Sequence, residues 1–142
     1  KASDESGELQ EISVTTFLDS LEGSLRRGFP GTMFSLSKEI DFPLPINVAI
    51  AFADASIQAM TNSLQHAGRN ANRQIRLKAD RHGLKVVVKD DGKGFRESKI
   101  PKNRLGVRNS IRRRVVSVGG EVVIDTAPRK GTAVILRWSP NA

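Results

Sequence analysis

The chain has no cysteine and no tyrosine, and only 5% of its residues are aromatic. The missing cysteines exclude disulfides, thiolate metal sites and cysteine nucleophiles. The shortage of aromatics argues against a base-stacking surface for single-stranded nucleic acid. No run of about 18 apolar residues occurs, so no segment reads as a membrane-spanning helix, and no secretory leader is visible. The first residue is Lys1 rather than Met, and the expectation is a piece of a longer polypeptide; a cytoplasmic address fits the lack of cysteine, and the piece is expected to be the cytoplasmic end of a membrane-bound protein. What is present is ordinary for one globular domain: 142 residues, 38% hydrophobic and 27% charged. Net charge is +8, which favours anionic partners: nucleotide phosphates, an acidic protein, an anionic membrane or nucleic acid. Runs such as Arg112-Arg113-Arg114 fit a solvated helix face equally well.

Lys85–Phe95, KVVVKDDGKGF, organises the rest. Three β-branched valines read as a buried strand. It runs into Asp90-Asp91-Gly92-Lys93-Gly94-Phe95, where two glycines allow a sharp turn and a close approach of backbone to a ligand. Asp90, at the strand end, is placed to accept a hydrogen bond from an amino group. Taken alone, the stretch reads better as a plain strand and polar turn, since Asp-Gly pairs are common in turns.

Along the chain, residues 1–11 read as a linker or the end of an upstream element. Residues 12–142 read as one domain. Thr15 or Thr16 can cap a helix running to Arg27, with Phe17, Leu18, Leu21 and Leu25 as its apolar face. Thr32–Ile40 alternates as an edge strand, and the prolines of Asp41–Pro45 break it. Ile46–Ala67 is the longest helix. Its spacing predicts a core face of Ile46, Ile50, Ala53, Ile57, Met60 and Leu64. A second face carries Gln58, Thr61, Asn62 and Gln65, uncharged amides and a hydroxyl that suit either solvent or the wall of a cleft. Gln74–Asp80 and Leu84–Lys89 form a hairpin around Arg81-His82-Gly83. Ser98–Asn103 reads as a loop. Val107–Val118 reads as a helix with Val107, Ile111, Val115 and Val118 on its core face. Gly106 at its start would expose N–H groups suited to an anion. Glu121–Asp125 and Thr132–Trp138 make a second hairpin. Three helices and five strands with two hairpins imply a mixed sheet with helices on one face, an α/β two-layer sandwich.

Three stretches carry a resemblance: Gln58-Ala-Met-Thr-Asn62-Ser-Leu-Gln-His66-Ala, Asp90-Asp-Gly92-Lys-Gly94-Phe95, and Leu105-Gly106-Val107 followed by Gly119-Gly120 and Pro128-Arg-Lys-Gly131-Thr132. Together they resemble the ATP-binding domain of sensor histidine kinases, in the gyrase, chaperone, histidine-kinase and mismatch-repair ATPase superfamily with its Bergerat-type fold. The short loop before Gly106 and the Gly119-Gly120 hairpin resemble the subfamily that works with nitrate-regulator-type response regulators. The resemblance implies ATP and Mg²⁺ as ligands, with the Asn62 oxygen on the metal. It implies Asp90 on the adenine amine with Thr132 behind it, Gly92 and Gly94 against base and sugar, and Gly106 and Val107 at the phosphates. His66, Phe95 and Arg104 complete the nucleotide-binding set, His66 more as a packing residue than a chemical one. Partners would be ATP or ADP, the dimerisation and histidine-phosphotransfer domain of the same kinase and, indirectly, a response regulator, with neither nucleic acid nor membrane touched by this piece.

Three positions depart from the pattern. Gln58 stands where the family has Glu, and a neutral amide cannot take a proton. Gln65 replaces a basic residue, and Arg104 replaces a lid glycine. Alternative readings are therefore a nucleotide-sensing module with little catalysis, or an anti-sigma-factor-type serine kinase.

Overall fold

A computed structural model describes residues 10–68, 70–94 and 102–140; for 102–107 it describes the backbone alone. The chain runs β1 (Glu11–Ser13), α1 (Val14–Gly28), β2 (Met33–Lys38), β3 (Pro43–Pro45), α2 (Ile46–His66), β4 (Arg73–Asp80), β5 (Gly83–Asp90), α3 (Lys102–Val116), β6 (Glu121–Thr126) and β7 (Thr132–Trp138). Five strands form one sheet in the order β2-β4-β5-β7-β6. Only β2 and β4 are parallel; the other neighbours are antiparallel. The three helices cover one face, so the expected mixed five-stranded α/β sandwich is the fold.

Alternation on the strands decides which face is covered. Ile75, Leu77 and Ala79 of β4 are buried, as are Leu84, Val86 and Val88 of β5 and Val134 and Leu136 of β7. The register joins them into rows. Ile75 lies opposite Val88, which lies opposite Val134; Leu77 lies opposite Val86, which lies opposite Leu136. A period of two thus becomes a continuous apolar surface.

Phe17, Leu18, Leu21 and Leu25 of α1 are buried on that surface, joined by Val14. The cap of α1 is Ser13 rather than Thr15 or Thr16. Its hydroxyl oxygen accepts from Thr16 N at 3.3 Å, and the hydroxyl donates to the Asp41 carboxylate at 2.8 Å. Two short strands were not foreseen. β1 pairs antiparallel with β3, where the prolines sit in a two-stranded ribbon with little ladder to break. Of the expected linker, residues 1–9 lie outside the described residues, and β1 already begins at Glu11.

The core face expected for α2 is the wrong one. Of its six residues only Met60 is buried; Ile50, Ile57 and Leu64 are 58%, 41% and 50% exposed. Val48, Phe52, Ala55, Ala59 and Ser63 face inward instead. The buried face is mostly small, so the helix lies close to the sheet, and the single large ring of Phe52 fills the centre. Close approach outweighed side-chain size.

Helix α3 also begins earlier than expected, at Lys102 rather than Val107. Pro101 precedes it in sequence, a residue well suited to the first helical turn. The expected loop over 98–103 is helical from Lys102. Ile111 and Val115 are buried as foreseen, and Val118 packs against the core. Among the described residues no helix is long and apolar enough to cross a membrane.

Candidate functional site

The apolar rows of the sheet end in a polar one. Arg73 is paired with Asp90, Asp90 with Thr132, and Thr132 with Thr126. Each is two residues on from a member of the Ile75–Val88–Val134–Ile124 row, so all four share the parity of the helix-covered face. The C-terminal end of α2 passes over this row with Ser63 facing in. A cleft opens there, with Asn62, His66, Asp90, Gly94 and Thr132 on its walls, together with Arg108 of α3. Five residues from three distant stretches are brought together where the sequence grouped them.

Asp90 is the buried carboxylate of this cleft, 6% exposed. Ser63 Oγ donates to its Oδ2 at 2.8 Å, and Gly92 N donates to its Oδ1 at 3.0 Å. A carboxylate holding two donors in a buried site is fixed in direction and keeps acceptor capacity for a third. Thr132 is tied to Thr126, oxygen to oxygen at 2.9 Å. The next residue, Asp91, points the other way, as alternation requires. Its carboxylate accepts from Asn72 N at 2.7 Å and Asn72 Nδ2 at 2.9 Å. These bonds hold its pKa below the ordinary carboxylate value.

Gln58, Asn62 and His66 follow one another at intervals of four along α2. Gln58 Oε1 and Asn62 Oδ1 are buried, and neither has a hydrogen-bond partner among the described residues. An unsatisfied buried acceptor costs about 1–3 kcal/mol, and of the two only Asn62 belongs to a residue on the cleft wall, where a donor or a cation would satisfy it. Among the described residues no group of three or more His, Asp or Glu could hold a metal. A divalent cation here would take one amide oxygen from Asn62 and the rest of its ligands from phosphate and water, the habit of Mg²⁺. The donor set fits that ion.

The glycines serve the fold as well as the site. A Cβ on Gly92 would run into the carbonyl of Ala67 at the end of α2, so Gly92 lets the loop close on that helix. Lys93 N then donates to the same carbonyl at 3.1 Å. Gly94 lines the cleft, has φ 62°, and a Cβ there would strike the Ala127 carbonyl. Phe95 lies outside the described residues, as do the side chains of Arg104 and Val107. Gly106 and Val107 lie inside α3. Their expected place at the first turn, where N–H groups are free for an anion, is corrected: those groups belong to Lys102 through Leu105.

Arg108, Ser63 and Arg73 were missed from sequence. A basic residue one turn beyond Arg104 was the available sign for Arg108. A serine inside a helix and an arginine opening a strand gave none.

A mixed sheet, a long helix carrying an Asn oxygen with no partner among the described residues and a buried Asp at a Gly-turned strand end thus meet at one cleft. The chain belongs to the histidine kinase-, DNA gyrase B- and HSP90-like ATPase family, which it matches over residues 49–142. It is 29% identical over 92 residues to the signal transduction histidine-protein kinase/phosphatase DegS of Brevibacillus brevis, a match covering 65% of this chain and 23% of that protein. Its fold resembles the histidine kinase domain of the Erythrobacter litoralis EL346 blue-light activated histidine kinase. The TM-score is 0.65 at 24% identity, over 88% of this chain and 64% of that one. It also resembles the ATP-binding domain of PrrB from Mycobacterium tuberculosis, with a TM-score of 0.59 at 22% identity over 91% of this chain and 95% of that one. The chain thus spans less than a quarter of the DegS relative and under two thirds of the blue-light kinase domain.

Proposed function

We propose that this chain is the ATP-binding catalytic unit of a sensor histidine kinase, and that it donates the γ-phosphoryl group of Mg-ATP to a histidine on a separate dimerisation domain. The observation that carries the reading is Asp90: a buried carboxylate, oriented by Ser63 and Gly92, facing a cleft beside an Asn62 oxygen with no partner among the described residues. Asp90 accepts from the adenine amine, with Thr132 beside it. Asn62 would supply one oxygen to a divalent cation, which would neutralise phosphate charge when bound. Arg108 supplies positive charge to the phosphate side of the cleft. In the transfer, the bond from the γ-phosphorus to the β,γ-bridging oxygen breaks and a phosphorus–nitrogen bond to the imidazole forms. ADP departs, and the imidazole proton leaves to solvent or a base. Such chemistry is achieved mainly by positioning and charge stabilisation.

The test is titration of a fluorescent ADP analogue into wild type and Asp90→Ala. A weakening of roughly tenfold or more is expected, the effect of losing a charge-assisted hydrogen bond. Equal affinities would remove Asp90 from the adenine. Mixed with the dimerisation domain and labelled ATP, the chain is expected to label that domain on histidine and not itself. Acid-stable label on this chain would indicate serine or threonine chemistry instead. A second reading, a nucleotide sensor with slow turnover, is favoured by one residue: Gln58, whose amide occupies the place of a base but cannot accept a proton.

A further inference from the structure

Arg73 opens β4, directly opposite Asp90 on β5. Its guanidinium turns under the end of α2 rather than into solvent. Nη1 donates to the Ala71 carbonyl at 3.2 Å, and Nη2 donates to the carbonyls of Gly68 at 3.3 Å and Ser63 at 3.4 Å. All three carbonyls lie around the end of α2, and those of Ser63 and Gly68 each accept a backbone N–H as well, from Ala67 at 2.9 Å and Ala71 at 3.3 Å. The Nε N–H donates to Ser63 Oγ at 3.2 Å.

That last bond fixes a direction. A guanidinium N–H can only donate, so Ser63 Oγ is the acceptor. The hydroxyl has one proton, and Asp90 Oδ2 receives it at 2.8 Å. The relay therefore runs from Arg73 Nε through Ser63 to Asp90, with the Ser63 hydroxyl proton committed to the carboxylate. Without Arg73, the Ser63 hydroxyl is free to rotate, and Asp90 loses a fixed donor.

We propose that Arg73 and Ser63 are positioning residues that give the cleft its selectivity for a purine bearing a 6-amino group, acting through Asp90. With Ser63 and Gly92 both donating to the carboxylate, what Asp90 has left to offer a ligand is acceptor capacity. A 6-amino group satisfies it. A 6-oxo group presents an acceptor to an acceptor and is refused, because buried unpaired polar groups carry the full desolvation cost. The inference rests on the nucleotide-binding reading above and adds two residues and a direction of selectivity to it.

The experiment compares three diphosphates by calorimetry: ADP, inosine diphosphate with a 6-oxo group, and purine riboside diphosphate with hydrogen there. Wild type, Ser63→Ala and Arg73→Gln are measured with each. Ser63→Ala and Arg73→Gln are expected to weaken ADP by on the order of tenfold, one hydrogen bond's worth. Purine riboside diphosphate is expected to stay within about twofold, since it makes no use of Asp90's acceptor, and discrimination against inosine diphosphate is expected to fall. A purely structural role predicts equal losses for ADP and purine riboside diphosphate, and that result overturns the inference, as does undiminished ADP binding in both variants. Should Ser63→Ala fail to fold, Arg73→Gln gives the same comparison. A wild type that binds none of the three overturns the nucleotide-binding reading itself. One that binds all three equally leaves that reading standing and overturns only the selectivity.

Discussion

Gln58 and Asn62 stand one helical turn apart on α2, and each holds a buried amide oxygen with no hydrogen-bond partner among the described residues. The pair is alike in burial and unlike in prospects. Asn62 borders the cleft, whereas Gln58 lies one turn back from it. A neutral amide at Gln58 can orient a water or an imidazole but cannot take a proton. It also adds no negative charge against a triphosphate. Nucleotide affinity is therefore expected to be normal and turnover slow.

Gln58→Glu tests the charge. A carboxylate placed where Gln58 Oε1 now lies enters a buried site with no donor among the described residues, which raises its pKa and improves it as a base. General-base help is typically worth about 10²–10⁴-fold. Single-turnover phosphotransfer or hydrolysis is expected to rise by on the order of tenfold or more, with affinity unchanged or weaker. If phosphoryl transfer depends on positioning alone, the rate stays put in a folded variant, and the loss of the base is then no cause of slow turnover.

How far the sequence could be read depended on what kind of pattern each part carries. The two hairpins were visible because Val86, Val88, Val134 and Leu136 alternate and glycines close the turns. Asp90 was visible because it stands at a strand end two residues before Gly92. The inward face of α2 was not, because Ala55, Ala59 and Ser63 are small and the pattern of large side chains at Ile50, Ile57 and Leu64 is stronger. Periodicity reports that a helix has an apolar stripe; it does not report which neighbour demands close approach. Ser63 and Arg73 were hidden for a further reason. Their roles exist only where the end of α2 crosses the first residue of β4, and that crossing is set by tertiary packing.

The corrected face of α2 makes a direct prediction. Phe52 is fully buried and Ile57 is 41% exposed. Phe52→Ala is expected to cost about 3–5 kcal/mol, through lost burial and the cavity left behind. Ile57→Gln is expected to change stability by less than about 0.5 kcal/mol, as exposed positions usually do. Urea unfolding of both variants separates the two faces. A large loss at Ile57 with little at Phe52 would restore the face that spacing alone suggested.

Gly92 joins fold to site. Its N–H holds Asp90 Oδ1, and its missing side chain admits the Ala67 carbonyl. A methyl group there meets backbone rather than a movable side chain, so the loop must shift. Gly92→Ala is expected to destabilise the chain by about 1–3 kcal/mol, the usual cost of overpacking. It is also expected to weaken ADP binding, because the shift carries the donor away from Asp90. Unfolding midpoints and ADP titration read the two effects separately. Stability and affinity both at wild-type level would show that the loop has room to spare.

Asp91 and Asn72 bind the same loop from its outer side. Asn72 gives both its side-chain amide and its backbone N–H to the Asp91 carboxylate, and Arg73 adds positive charge nearby. Donors and a cation favour the ionised form, so the pKa of Asp91 lies below the ordinary 3.8. A carboxyl group with a depressed folded-state pKa stabilises the fold above its unfolded value. That contribution is lost as pH falls through the folded one. The loop carrying Gly92 is thus expected to hold at neutral pH and to loosen only below about pH 3.8, the window set by this shift. Asn72→Ala keeps the backbone donor and removes the side-chain one. In it the Asp91 pKa is expected to move up toward 3.8, and the loosening is expected to begin at higher pH. Carboxyl carbon shifts of Asp91, followed by NMR against pH in both proteins, measure the change, with amide exchange at Lys93 as the readout of the loop. Identical titration of Asp91 in the two proteins would show that Asn72 Nδ2 adds nothing to holding the loop.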